Sequence, residues 1–147
     1  MNDLKIRCAV VEDLDQVLTL LSGASLPSDG VSDFFPANYA VGTRGNEVVA
    51  AIGVERYGQH GLLRSAVVAA EARGTGIGSQ LTAERLNWSK AEGLRDVYLL
   101  TTTAAPFFAK LGFAPVERSQ VPAEVAAAPE FASICPATAL VMRYDLS

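Results

Sequence analysis

Arg73-Gly74-Thr75-Gly76-Ile77-Gly78-Ser79 carries glycine at three alternate positions, between an apolar run from Leu62 to Ala69 and a helix-like run from Gly76 to Glu92. Glycine lets the backbone bend so that successive N–H groups converge, and it lets a bulky anion come close. The first turn of a following helix adds unpaired N–H groups and the positive end of the helix dipole. Arg73 offers a further charge-assisted contact. The chemistry these residues suit is the grasp of phosphates. A hydrogen bond to a charged group is worth about 1.5–3 kcal/mol, so four give roughly 6–12 kcal/mol before ordering costs. Micromolar binding needs only about 8 kcal/mol. The dinucleotide fingerprint Gly-x-Gly-x-x-Gly and the P-loop, which needs a lysine after its last glycine, both fail on this spacing.

A second group of residues could serve an acceptor. Glu55 ends the strand-like run Val48 to Val54 and could act as a base, grip an ammonium group, or remain a solvated strand-end carboxylate. Tyr57 is a further candidate for the same cleft. Alternation along Leu62-Leu63-Arg64-Ser65-Ala66-Val67-Val68 sets Arg64 on one face with Leu62, Ala66 and Val68. An arginine in an apolar strand needs an anionic partner, which could be Glu55 across the strand pair or a substrate carboxylate held in a fork. His60 stands in a glycine-flanked turn expected at the far end of the strands. Cys135, in Ser133-Ile134-Cys135-Pro136, has the type of a nucleophile but no Asp/His dyad beside it.

The elements that position these residues follow from pattern. Leu4 to Ala9 alternates as a strand. Glu12-Asp13 open a helix with Leu14, Val17, Leu18 and Leu21 as its apolar stripe. Ser22 to Pro36 reads as a surface segment with a short helix, Phe34 and Phe35 packing down locally. Tyr39–Thr43 and Glu47–Tyr57 form strands joined at Arg44-Gly45-Asn46. The turn Gly58-Gln59-His60-Gly61 leads into Leu62–Ala69. A helix over Gly76–Glu92 is capped by Gly93 and buries Ile77, Leu81, Trp88 and Ala91, with Glu84 on the same stripe and Leu86 opposite. A strand over Asp96–Thr101, a helix over Ala105–Leu111, and strands over Phe113–Glu117 and Ala139–Tyr144 follow. Between the last two, Pro122 starts a short helix over Ala123–Ala128. Strand, long helix, strand implies one parallel crossover beside an antiparallel meander, a mixed α/β architecture.

The chain has 147 residues and suits one domain; 12 Lys and Arg stand against 16 Asp and Glu, a formal charge of −4. That balance excludes a surface built to track nucleic-acid phosphates. No apolar run reaches the ~18 residues of a membrane span. The opening Met1-Asn2-Asp3-Leu4-Lys5 lacks a secretory layout, and Cys8 and Cys135 form no metal spacing. The expectation is a soluble, cytoplasmic protein without a metal.

Arg73-Gly74-Thr75-Gly76-Ile77-Gly78 resembles the Arg/Gln-x-x-Gly-x-Gly/Ala signature of the GNAT superfamily of N-acetyltransferases. Ile6-Arg7-x-Ala9-x3-Asp13-x3-Val17-x2-Leu20-Leu21 is similar to that family's first strand and helix. Phe107-Phe108-Ala109-Lys110-Leu111-Gly112-Phe113 is similar to its late Phe-Tyr-x-Lys-x-Gly-Phe turn. The resemblance covers nearly the whole chain. It implies one acyltransferase domain over residues 1–147, with a central, mostly antiparallel sheet that splays near Val68 and Thr101.

Acetyl-coenzyme A is the implied donor. Arg73, Gly74, Gly76 and Gly78, with the amides of Thr75, Ile77 and Ser79, would hold its pyrophosphate. The backbone of Val67 and Val68 would pair with the pantetheine arm as an added strand and polarise the thioester. Thr101 stands where the family often has Asn, and its hydroxyl would reach the pantetheine. Phe108 stands where the family has a general-acid Tyr and cannot protonate a thiolate. A thiol with a pKa of about 8.5 can leave unaided near neutrality.

The implied reaction is direct acetyl transfer to a small primary amine in a ternary complex. The rivals are a coenzyme A sensor without catalysis, which Phe108 favours, and a protein or peptide N-acetyltransferase. Leu63-Arg64-Ser65, Leu99-Leu100-Thr101-Thr102-Thr103 and Phe131-Ala132-Ser133-Ile134-Cys135-Pro136 resemble small acetyltransferases of arsenic-resistance operons, implying an amino-acid-like arsenical or xenobiotic acceptor. A homodimer could form through the C-terminal strands.

Overall fold

Turn chemistry and alternation set the strand ends. The computed structural model describes residues 4–26, 28, 30–128, 131 and 139–147. Strands β1 (Leu4–Cys8), β2 (Tyr39–Arg44), β3 (Glu47–Tyr57), β4 (His60–Val68), β5 (Asp96–Thr101), β6 (Ala114–Pro115) and β7 (Leu140–Asp145) form one sheet. Their order is β1-β2-β3-β4-β5-β7-β6. Helices α1 (Leu14–Gly23), α2 (Val31–Phe34), α3 (Ile77–Ala91), α4 (Ala105–Lys110) and α5 (Ala123–Ala126) complete the chain. The β1–β2, β2–β3, β5–β7 and β6–β7 pairs are antiparallel, and β4–β5 is parallel. A parallel pair cannot be closed by a tight turn, and α3 makes the crossover. Pairing of β4 with β5 runs from His60/Asp96 to Leu62/Tyr98, while the strands themselves continue to Val68 and Thr101.

Two compact units divide the chain: Met1–Gly53 with Ser65–Arg85, and Val54–Arg64 with Leu86–Ser147. In the first, Val17 and Leu21 of α1 are fully buried against Tyr39, Val41 and Val48, and Phe34 and Phe35 pack onto the same cluster. At the foot of α1, Asp13 takes both terminal nitrogens of Arg7, at 2.7 and 2.9 Å, and the Val10 amide at 2.9 Å. Those bonds favour the ionised form. They hold the Asp13 carboxyl below its usual range, Arg7 being the main cause. In the second unit, Leu62, Tyr98, Val121, Val125, Ala128 and Val141 form the core, with α5 contributing Val125.

Three expectations need correction. The turn after β3 is Gly58-Gln59 alone, and His60 already belongs to β4. The strand after α4 shrinks to Ala114–Pro115. Gly112 turns at φ +108° and Phe113 donates back to the Phe108 carbonyl at 3.1 Å, so Phe113 closes the helix end instead of starting the strand. In α3, Ala91 is exposed and Leu86 is buried, with Thr82, Arg85 and Ser89 buried beside it. Polar residues complete the inward surface, which an apolar stripe cannot reveal. Glu84 stands beside Arg85 and forms a two-pronged ion pair with its buried guanidinium.

Candidate active site

The glycine loop expected to hold phosphate lies in the first unit, and the start of the helix after it is set by close packing. Ile77 opens α3 and is 2% exposed; its side chain lies over Gly42 of β2, where any Cβ would collide with it. That close approach fixes how near the helix N-terminus sits to the sheet. Gly74 and Gly76 adopt φ of +78° and +85°, the left-handed region that glycine enters without strain. Thr75 donates its hydroxyl to the Ala72 carbonyl at 2.6 Å, pinning the loop between the two glycines.

The amides of residues 74 to 79 make no backbone hydrogen bond among the described residues; the first amide to do so is that of Gln80, to Gly76 at 3.1 Å. Gly74 and Gly76 face open space where a side chain would stand. Six successive donors at an exposed helix start suit a multiply charged anion. Arg73, exposed, donates Nε to the Val68 carbonyl at 3.2 Å, and its terminal nitrogens make no hydrogen bond among the described residues.

The end of β4 leads into this loop. Ala69 donates to Val49 of β3 at 2.7 Å. Strand alternation then turns the backbone of Val67 toward β3 and that of Val68 and Ala66 to the opposite edge. Of the expected pair, Val68 is the one whose amide is turned outward; Val67 contributes a buried side chain. Ala66 escapes a reading based on residue type, because its contribution is main-chain alone.

Ser65 breaks the alternation assumed for Arg64. It sits within β4 at φ +59°. Its hydroxyl meets Tyr39 Oη at 3.1 Å, and the Tyr39 ring passes over Gly53, where a Cβ would collide with it. A lone glycine in a strand signals a close approach, and Gly53 was the available clue to this pair.

The acceptor-side candidates lie in the second unit. Arg64 donates Nη1 to Glu55 Oε2 at 3.1 Å, and each side chain is 2% exposed. Tyr57 donates its hydroxyl to the other oxygen, Oε1, at 2.6 Å. Of the two anionic partners open to Arg64, the structure supplies the internal one, and Glu55 is buried rather than solvated. Thr101 accepts the Ala104 amide at 2.9 Å, which leaves its own hydrogen to donate. Phe108 is 6% exposed, its ring held edge-on by Phe107 and Phe113.

His60 stands at the paired end of β4, 2.6 Å from Asp96, which also accepts Arg143 Nε at 2.9 Å. Burial and the nearby Asp96 carboxylate push the Tyr98 phenol up. Cys135 and residues 132–136 lie outside the described residues. Among the described residues, no cluster of three His, Cys, Asp or Glu side chains could hold a metal, and no helix is long and apolar enough to cross a membrane.

A mixed sheet whose central strand runs into an amide-lined helix start defines the acyl-CoA N-acyltransferase class of fold. Residues 36–115 match the family model of the acetyltransferase (GNAT) domain, and with more than half of its 147 residues matched the chain belongs to that family of acyltransferases. No curated protein matches it in sequence.

Solved structures share the fold. N-acetylglutamate synthase from Neisseria gonorrhoeae, complexed with coenzyme A and N-acetyl-glutamate, superposes with a TM-score of 0.84 at 15% identity, over 98% of this chain and 35% of that one. Rv2747 from Mycobacterium tuberculosis, in complex with coenzyme A, gives 0.83 at 22% identity, over 97% and 99%. Ard1 from Thermoplasma volcanium gives 0.76 at 18% identity, over 97% of each. The chain thus spans about a third of the Neisseria synthase and nearly all of the other two.

Proposed function

We propose that the protein transfers an acetyl group from acetyl-coenzyme A to the primary amine of a small, amino-acid-like acceptor. The observation that carries this is the row of amides at residues 74 to 79 that make no backbone hydrogen bond among the described residues, beside two left-handed glycines. Those amides and Arg73 hold the pyrophosphate. The outward amide of Val68 meets the pantetheine arm. Phe108 contributes an apolar wall rather than a proton.

Acetyl-coenzyme A supplies the acyl group as a thioester. The neutral amine nitrogen bonds to the carbonyl carbon, the C–S bond breaks with its electron pair leaving on sulfur as the coenzyme A thiolate, and the nitrogen gives up a proton. Glu55 is the group we assign to that proton, with the Tyr57 hydroxyl relaying it to Oε1 as the tyrosine hands over its own. Arg64 holds the carboxylate in place. The transfer we propose is direct, in a ternary complex, with no acetylated protein on the way.

An amino-acid-like acceptor is in keeping with the N-acetyl-glutamate in the Neisseria synthase structure, and an arsenical one with the resemblance to arsenic-resistance acetyltransferases. We place the enzyme in the cytoplasm. Sustained thiol release from acetyl-coenzyme A across a panel of amino acids, amines and amino-acid-like arsenicals is the test. Binding of coenzyme A with no turnover for any acceptor would support a sensor instead. Turnover only with peptide N-termini would support a protein N-acetyltransferase.

A further inference from the structure

Tyr39, Gly53 and Ser65 form one device across three strands. Ser65 holds φ of +59° inside β4, a conformation an L side chain keeps only where its surroundings over-determine it. Tyr39, fully buried on β2, reaches it: the ring crosses β3 at Gly53, where no Cβ fits, and the hydroxyl ends 3.1 Å from Ser65 Oγ. Ala66 follows Ser65 directly and Val68 comes two residues later; the backbones of both turn away from β3. A change of φ at residue 65 swings the peptide plane that carries the Ala66 amide.

We propose that Tyr39 is a positioning residue for acetyl transfer: through Ser65 it holds the left-handed turn in β4 that aims the Ala66 and Val68 amides. The inference rests on the acetyl-transfer reading of those amides. An amide aimed at a thioester carbonyl acts on the transition state far more than on the bound donor. The phosphate loop, which holds the donor, contributes no atom to the Tyr39–Ser65 hydrogen bond.

Tyr39→Phe keeps the ring and removes the oxygen. The expected result is a fall in kcat of roughly tenfold, less than the ~10²–10³ seen when such a donor is deleted outright. The KM for acetyl-coenzyme A stays unchanged, and the Ser65 and Ala66 amide resonances shift. Ser65→Gly supplies a residue that holds positive φ unaided. In that background Tyr39→Phe should leave kcat unaltered.

An equal loss of kcat in both backgrounds would overturn the proposal, as would full activity of the Tyr39→Phe single variant. A merely structural tyrosine would raise KM and lower kcat alike in both. If the unmutated protein releases no thiol with any acceptor, the acetyl-transfer reading falls, and the positioning role with it. The resonances then report on the brace alone: unshifted Ser65 and Ala66 signals in Tyr39→Phe show that the hydroxyl never held the turn.

Discussion

Arg64 and Glu55 meet at 3.1 Å with each side chain 2% exposed, and Tyr57 occupies the remaining carboxylate oxygen. Breaking a buried pair from one side strands a charge and costs about 3–5 kcal/mol. Glu55→Ala and Arg64→Leu should each lower thermal stability by about that much. Replacing both with apolar residues of similar volume should restore most of it. Because Glu55 is also the assigned base, the restored double variant should fold, bind acetyl-coenzyme A and turn over poorly. Full turnover in that variant would remove Glu55 from the mechanism.

Asp13 and Arg7 give a pH signature. The carboxyl is held below its usual range, chiefly by its hydrogen bonds from Arg7. A lowered folded value means that the stabilisation is fully present above the unfolded value of about 3.9 and is lost as pH falls through the folded one. Asp13→Asn should cost about 1–3 kcal/mol at pH 7. The difference from the unmutated protein should close on acidification below about pH 4. Urea titrations at pH 7 and pH 3 measure it; a gap as large at pH 3 as at pH 7 would assign the effect to packing.

Glu84 sits on α3 at 30% side-chain exposure, yet its partner Arg85 is fully buried. An ordinary surface replacement changes stability by less than about 0.5 kcal/mol. Glu84→Ala should cost more than about 1.5 kcal/mol, because it removes charged hydrogen bonds from a buried guanidinium. Denaturant midpoints decide between the two values.

Gly42 lies in a strand, yet it sets the seat of Ile77 and so of the helix start. Gly42→Ala should push Ile77 outward and raise the dissociation constant for acetyl-coenzyme A several-fold. Equilibrium binding measures this, with Gly23→Ala as a control at the end of α1, where nothing stands within 4 Å and φ is not positive.

Much of this architecture was legible because local signals agreed. Asp96–Thr101 was read to the residue, since a short apolar run with a glycine-marked start has few alternatives. The glycine loop at Arg73–Ser79 was equally visible, since three alternate glycines before a helix stand out in the sequence. Beyond that, legibility stopped wherever a residue departed from its type. Ser65 takes a conformation usual for glycine, and Thr82, Arg85 and Ser89 are polar yet buried. The pairing of Arg64 with Glu55 was one of two partners open to the arginine, and only coordinates decide between an internal anion and an external one. Phe113 looked like a strand residue and became a helix stop, because Gly112 before it turns left-handed.

The most direct test of the central claim is a calorimetric titration of acetyl-coenzyme A into the unmutated protein and into Gly76→Ala. Residue 76 sits at φ +85°, where alanine is strained by about 1–2 kcal/mol, so the loop must change course while the fold survives. Micromolar binding to the unmutated protein and at least tenfold weaker binding to the variant are expected, with a melting temperature lowered only by that strain. Equal affinity in the two proteins would contradict the claim, and the amides of residues 74 to 79 would then not be the site that grasps the donor.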